Sequence, residues 1–248
     1  MAVVACDRDT PTEKPLAPAQ QYAAVYYWHE DGGLLPEYRT IDDSDVVQQM
    51  WDYLVTGPQA RGLVTKVDAG SVLLQQAEPE EGRMLLELND RFWSAPPREL
   101  HDATAQIVNT MGSLEGGDDI TLIDDVRPGL IDRPSGQEIA QSLTIEDFPA
   151  PLVRISQPVP GAVVGSAAHP NDNLSDSQVE IPIVLTLAHD KPVIVSAEMG
   201  GNHASMIVHD GRGRLLLNNP PAGEWTIVIQ LDIGVTVEFP VHITDPAS

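Results

Sequence analysis

Residues 23–58 read AAVYYWHEDGGLLPEYRTIDDSDVVQQMWDYLVTGP, and the spacing of apolar side chains in this stretch predicts how the first half of the chain begins to fold. Residues 23–28 are rich in aromatic and β-branched side chains, and the polar turn ending in Gly32-Gly33 leads into a second extended segment over residues 34–41. A helical period follows, with one apolar stripe formed by Val47, Met50, Trp51, Leu54 and Val55. The stretch therefore predicts two strands followed by an amphipathic helix.

The start and end of that helix have their own signals. Asp43 or Ser44 is predicted to cap its amino terminus, because short polar side chains accept hydrogen bonds from the free amides of the first turn. Gly57-Pro58 is predicted to end it. The three carboxylates Asp42, Asp43 and Asp45 are interpreted as charges favoured at a helix start rather than as a calcium site.

The rest of the first half continues the pattern. Two strands are predicted over residues 71–75 and 84–88, with an acidic turn between them, and a last strand contains Ile120 and Leu122. Between them a second helix runs from about residue 98 to residue 111, with a buried face formed by Leu100, Ala103, Ile107 and Met111. The order ββαββαβ predicts an α+β domain over residues 22–148, with a small mixed sheet and two helices on one of its faces.

The motifs of this half resemble the sporulation and spore germination domain called GerMN. The matching motifs, in chain order, are VYY at residues 25–27, GLLP at 33–36, RTI at 39–41, LVTGP at 54–58, ELNDRF at 87–92, QIVNT at 106–110, ITLID at 120–124 and RPSG at 133–136. No single motif is specific, but their order and spacing are those of the family. The resemblance implies an envelope lipoprotein or scaffold component without catalytic residues.

The second half has no helical period and is predicted to be all β. About seven short runs rich in β-branched residues are separated by turn signals over residues 152–245, which predicts an immunoglobulin-like sandwich. Residues 155–164 also resemble the start of the immunoglobulin-like module that accompanies GerMN domains in some bacterial proteins. Residues 149–151, with two prolines, are predicted to be the junction.

The amino terminus predicts a lipid anchor on Cys6. The residues Val3-Val-Ala-Cys6 resemble a bacterial lipobox, in which the cysteine thiol takes the diacylglycerol. Residues 7–21 contain three prolines, charges and small side chains without periodicity, so residues 1–21 are interpreted as the lipobox and a flexible tether. The localisation that follows is the outer face of the cytoplasmic membrane, with membrane contact through the lipid on Cys6. The alternative is a cytosolic protein with one incidental cysteine.

The charge of the chain limits its partners. With 14 basic and 37 acidic residues, the formal net charge of −23 argues against a nucleic-acid partner. Residues 22–150 hold 24 acids and 8 bases, so a partner that binds this half through charge is expected to be basic. The other interpretation is an acidic surface that only keeps the protein in solution. One cysteine excludes an internal disulfide.

Few residues are candidates for metal binding, ligand binding or catalysis. His203 and His209 have a spacing that places both on one side of a strand, but no third metal ligand is apparent, and no metal or cofactor is predicted. Trp93, next to a serine- and proline-containing stretch, is the tryptophan expected to be exposed, whereas Trp51 is expected in the core. No catalytic residue is predicted, because no nucleophile or selected pair of carboxylates stands out.

Three functions are compatible with these observations. The leading hypothesis is a non-catalytic, membrane-anchored scaffold or interaction module, possessing a sheet edge or helix face that binds another envelope or membrane protein. The alternative is a peptidoglycan- or glycan-binding module, which needs an exposed aromatic ring for sugar stacking. A wall hydrolase is the third hypothesis, without residues to assign to it.

Overall fold

The structure is a computed structural model of the chain. The residues it describes are 21–42, 44–80, 83–114, 119–124, 143–158, 161, 163–165, 180–189, 191–209, 211–218 and 223–244. Cys6, the rest of residues 1–20 and the motif at residues 133–136 lie outside the described residues. Of the segment predicted to be lipobox and tether, residues 1–21, only Gln21 is described, and it is the first residue of a strand.

The described part of the first half contains a 3-10 helix over Ile145–Asp147 that was not predicted. It also contains the predicted strands and helices, together with two other short additions. In chain order these are β1 Gln21–His29, β2 Leu34–Ile41, α1 Val46–Thr56, β3 Leu63–Val64, β4 Leu73–Glu80, β5 Arg83–Leu88, α2 Asp90–Trp93, α3 Pro97–Met111 and β6 Asp119–Asp124. The short elements β3 and α2 were not predicted, because two- and four-residue elements have no measurable period. The predicted cap of α1 is wrong by one residue: Asp45 is the N-cap, and its Oδ1 accepts from the Gln48 amide at 3.2 Å.

The predicted single mixed sheet is two three-stranded sheets. One has the order β2-β1-β3 and is antiparallel; the other has the order β4-β5-β6, with β4 antiparallel and β6 parallel to β5. The end of α3 accounts for the division, because it lies along the edge of β1. The Tyr26 amide donates to Thr110 Oγ1 at 3.0 Å, and the Ala24 carbonyl accepts from Ser113 Oγ at 3.2 Å. Side-chain hydroxyls thus satisfy edge groups that another strand would otherwise pair.

The second half is made of β-strands, as predicted. In chain order these are β7 Val153–Gln157, β8 Val163–Gly165, β9 Glu180–Leu187, β10 Val193–Met199, β11 Asn202–Val208, β12 Arg212–Asn218, β13 Gly223–Leu231 and β14 Val235–Thr244. They form a five-stranded sheet, β11-β10-β13-β14-β8, and a three-stranded sheet, β12-β9-β7. Side chains of both sheets share one hydrophobic core, with Phe239, Ile183 and Leu185 fully buried in it.

Strand β2 connects the two halves because both of its faces are buried. Successive side chains of a strand point to opposite faces. Leu34 lies in the core of the first half, whereas Leu35 lies in the core of the second half. The two leucines of this strand therefore belong to different hydrophobic cores.

Main-chain and aromatic contacts strengthen this junction. The Leu152 amide donates to the Leu34 carbonyl at 2.8 Å, and the rings of Tyr38 and Phe239 have centroids 6.0 Å apart. Gly33 has φ +85°, and a Cβ at this position would lie 2.4 Å from Leu152 Cγ. The two halves thus contact each other closely through β2, while the predicted boundary at residues 149–151 stays a prediction.

Within the described residues, no helix combines the length and the apolar character needed to cross a membrane.

Candidate interaction surfaces

The two histidines with metal-like spacing lie on the exterior of the second half. His203 is on β11, opposite Glu198 of β10, and His209 follows the end of β11; both side chains are exposed. Nowhere in the described part of the chain do three or more His, Cys, Asp or Glu side chains come together as metal ligands. Among the residues that the structure describes, the pair therefore acquires no third ligand.

The aspartates before α1 act in its local structure. Asp45 caps the helix, and Asp42 Oδ1 accepts from the Ser44 amide and from Gln49 Nε2, both at 2.8 Å. The hydrogen bond from the Ser44 hydroxyl is the main reason that the pKa of Asp42 lies below its ordinary value. Asp45 therefore caps the helix, Asp42 bonds the segment before it and the Gln49 side chain, and Asp43 is outside the described residues.

The expected exposed tryptophan is not exposed. Trp93 packs edge-on against Phe92, with ring centroids 5.1 Å apart, and its Nε1 donates to the Leu88 carbonyl at 3.0 Å. The prediction was wrong because α2, which the sequence pattern did not indicate, turns this ring towards the core. Trp51 is buried, as predicted, and all four tryptophans are described and at least partly buried.

An exposed apolar surface lies at the edge of the mixed sheet of the first half. Val72, just before β4, is 48% exposed, and Leu74 within β4 is 52% exposed. Asn89 fixes the backbone here, since the Val72 amide donates to Asn89 Oδ1 at 3.0 Å and the Val72 carbonyl accepts from the Asn89 amide at 3.1 Å. We call Val72 and Leu74 the β4 apolar surface; it is held by hydrogen bonds and does not depend on a flexible loop.

A shallow hollow of about 330 Å³ adjoins this surface, between α1 and the start of β4. Trp51 and Val55 contribute apolar walls, and Asp52 is the one charged residue of α1. The Asp52 carboxylate accepts from Gln48 Nε2 at 2.8 Å and is exposed. None of the described residues lining the hollow is basic, so it combines apolar walls with a negative rim.

The Gly-Pro motif after α1 is held by a buried arginine. Arg39 Nη2 donates to the Gly57 carbonyl at 3.0 Å, and the guanidinium forms an ion pair with Glu37. Glu37 in turn accepts from the amides of Gln59 and Ala60, at 3.0 and 2.9 Å. This network joins β2 to the segment after α1 and gives the RTI and LVTGP motifs a structural role.

A groove of about 730 Å³ runs between the two halves, beside the start of β1. Tyr26 and Tyr38 lie on its wall, and Arg154 of β7 approaches from the second half and lies next to Tyr26. Burial raises the pKa values of both tyrosines, and the nearby Arg154 charge partly offsets this for Tyr26. Both hydroxyls are therefore protonated at neutral pH. We call this site the junction groove.

Comparison with known proteins places the similarity in the first half. No protein-family model matches the chain, and a search of curated proteins also found no match. Among solved structures, the first GerMN domain of the sporulation protein GerM from Bacillus subtilis is 16% identical, with a TM-score of 0.44, and the match covers 51% of this chain and 99% of that domain.

Two further solved structures match the chain over a similar share of its length. The tandem GerMN domains of the same Bacillus subtilis protein are 20% identical, with a TM-score of 0.36, over 53% of this chain and 51% of that structure. A protein of Clostridium perfringens, provisionally assigned as a lipoprotein, is 15% identical, with a TM-score of 0.35, over 53% of this chain and 91% of that one. The predicted resemblance to GerMN domains is thus found among solved structures, over about half of the chain.

Neither the β4 apolar surface nor the junction groove was predicted in detail. The alternation SVLL at residues 71–74 was interpreted as a strand, and only the structure shows that Val72 and Leu74 face outwards at a sheet edge. Arg154 gave no signal in the sequence, because its importance depends on Tyr26, which is 128 positions away in the chain.

Proposed function

We propose that this protein is a non-catalytic module of the bacterial cell envelope, anchored by a lipid on Cys6, that binds another envelope protein through its first half. The lipobox-like residues before Cys6 and the GerMN-like motifs support this proposal. A role in envelope or sporulation assembly is part of it, since the similar structures are a sporulation protein and a provisionally assigned lipoprotein. The second half, as an immunoglobulin-like sandwich over residues 152–245, would serve as a spacer or second binding surface.

The observation that supports binding of a partner by the first half is the exposure of the β4 apolar surface. Val72 and Leu74 expose about half of their side chains beside a hollow with apolar walls. Apolar side chains that are clustered and exposed mark interaction sites more often than isolated ones do. The surface is also preformed, so a partner would not have to order a loop on binding.

The expected partner carries a basic group next to apolar side chains. Asp52 lies on the rim of the hollow, and the lining holds no basic residue that could neutralise it. The excess of 24 acids over 8 bases in residues 22–150 extends this negative field over the first half. Charges arranged in this way increase the rate of association with a positively charged partner.

Site-specific crosslinking in the native host tests this proposal. A photo-crosslinking amino acid at position 74 is expected to give a discrete adduct with an envelope protein, and Val72→Asp or Asp52→Lys in the same chain should reduce it. The matched control is position 207 on β11, where Ile207 is 54% exposed but belongs to the second half. The same adducts from both positions, or adducts that both substitutions leave unchanged, would refute the assignment of the surface.

A glycan-binding function has less support from the structure. Stacking on sugars needs an exposed aromatic face. All four tryptophans are described, and each is at least partly buried. Trp93, the ring that motivated the alternative, is held by Phe92 and the Leu88 carbonyl.

A further inference from the structure

We propose that the junction groove binds a small organic monoanion that has an apolar body, with the anionic group at Arg154. This inference is independent of the β4 apolar surface, which lies on different residues. It concerns a site that neither the GerMN-like motifs nor the comparisons assign.

The first observation is the charge of the lining. The chain has 37 acidic and 14 basic residues, yet among the described residues that line the groove none is acidic and Arg154 is the one that is charged. The overall charge of −23 works against anions at long range. At an ionic strength of about 0.15 M, however, charges are screened beyond roughly 8 Å, so the local lining dominates binding in the groove.

The second observation is the state of Arg154. Its guanidinium has five N–H donors, and the neighbouring Tyr26 offers only a neutral hydroxyl. Within the described residues, no carboxylate forms an ion pair with it. A partly buried arginine without a carboxylate partner is a favourable site for a bidentate carboxylate or phosphate.

The third observation is the apolar wall. Ile41 of β2, Val46 and Val47 of α1, and Met84 of β5 line the groove together with Ile155, which follows Arg154. The volume of about 730 Å³ lies in the range of small-molecule sites, which combine mostly apolar walls with a few polar groups. A carboxylate on an apolar body fits this combination, and its source is either a medium-chain acyl group or the end of a short apolar peptide.

Isothermal titration calorimetry of the full chain with two matched pairs of probes tests the proposal. The pairs are decanoate with decanol, and N-acetyl-Val-Leu with its carboxyl-terminal amide. At least one carboxylate is expected to bind about 10- to 100-fold more tightly than its neutral analogue, the usual value of one charge-assisted hydrogen-bonded contact. The pair that shows this preference identifies the source of the ligand. Failure of both carboxylates to bind, or equal binding of carboxylates and neutral analogues, would overturn the proposal.

Three variants test whether the ligand binds at Arg154. Arg154→Gln should remove the preference for the carboxylate, whereas Arg214→Gln, which changes the net charge equally on an exposed strand position, should leave it intact. If Arg154→Gln unfolds the protein, Val46→Trp fills the groove from α1 without changing Arg154, and it should abolish binding of the carboxylate. Binding that survives Val46→Trp, or is lost equally in Arg214→Gln, places the ligand elsewhere and refutes the inference.

Discussion

Two arginine–carboxylate pairs in the first half show how burial decides what a single residue contributes to stability. Arg39 and Glu37 are almost buried, with side chains 10% and 13% exposed, whereas Arg91 and Asp68 are 60% and 43% exposed. Removing one partner of a buried pair leaves the other charge desolvated and unpaired. Exposed pairs contribute little, because water and salt screen them.

Arg39→Met is therefore expected to lower the free energy of unfolding by about 3 kcal/mol, because Glu37 loses its counter-charge and the Gly57 carbonyl loses its donor. Urea unfolding at pH 7 measures this loss. Arg91→Met is the matched control and should have a much smaller effect. Equal losses in the two variants would contradict the role assigned to the Arg39 network.

The Asp68 carboxylate is expected to titrate at unusually low pH. Hydrogen bonds from the Arg91 guanidinium and the Gly70 amide lower its pKa from 3.8 to about 2. A carboxyl whose folded-state pKa is lowered stabilises the fold above its unfolded pKa, and this contribution disappears as the pH falls through the folded value. The contribution should thus be complete above about pH 5 and be lost towards pH 2. A carboxyl titration by NMR with its midpoint near 3.8 instead of about 2 would contradict this prediction.

At the scale of elements, the contact between α3 and β1 keeps the two sheets of the first half separate. Thr110 is fully buried and its hydroxyl accepts from the Tyr26 amide. Thr104, also fully buried in α3, directs its hydroxyl to the Leu100 carbonyl one turn earlier in the same helix. Both threonines are fully buried, but the Thr110 hydroxyl bonds β1 whereas the Thr104 hydroxyl bonds its own helix.

Thr110→Val should lower the free energy of unfolding by about 1–3 kcal/mol, since the buried Tyr26 amide would lose its acceptor. Thr104→Val should change the free energy of unfolding very little, because the Leu100 carbonyl lies within the helix and does not depend on the Thr104 hydroxyl for a hydrogen-bond donor. Urea unfolding of both variants provides the comparison. A larger loss for Thr104→Val would show that the β1 edge is not held in this way.

Substitutions in the turn between β1 and β2 test the contact between the two halves. Gly32 and Gly33 both have positive φ, so alanine at either position costs about 1–2 kcal/mol in backbone strain. A Cβ at Gly32 meets nothing within 4 Å, whereas one at Gly33 would lie 2.4 Å from Leu152 Cγ.

Gly33→Ala is therefore expected to destabilise the protein by about 1–3 kcal/mol more than Gly32→Ala, the usual cost of overpacking. Leu152→Ala in the same chain should recover part of this difference, and a double-mutant cycle by urea unfolding measures it. Equal losses at the two glycines, with no coupling to Leu152, would mean that the halves do not contact through this turn.

At the scale of the whole molecule, periodicity predicted the elements but not their assembly. The stripe of α1, the buried face of α3 and the strands of the second half follow from local patterns, and the structure contains all of them. The separation into two sheets depends on the Thr110 and Ser113 hydroxyls, which carry no signal of period. The assignment of Leu34 and Leu35 to different cores was not predictable either, because consecutive apolar residues indicate a strand buried on both faces but not which cores lie on those faces.

The candidate sites were less predictable than the fold. Exposure of Val72 and Leu74 depends on β4 lying at a sheet edge, and the described lining of the junction groove combines residues from six strands and helices. Composition predicted only the sign of the partner's charge at the first half. The positions of the two sites depend on contacts between residues distant in the chain, and these contacts cannot be read from a single sequence.

Metabolic labelling tests the proposal that the molecule acts at the membrane surface through a lipid on Cys6. The wild-type chain and Cys6→Ala are expressed from the native locus, supplied with a clickable fatty acid, and separated into membrane and soluble fractions. We expect the wild type to carry the label and to sediment with membranes, and Cys6→Ala to lose both properties. An unlabelled wild-type chain, or a label and membrane fraction that persist in Cys6→Ala, would contradict the anchor and the envelope function built on it.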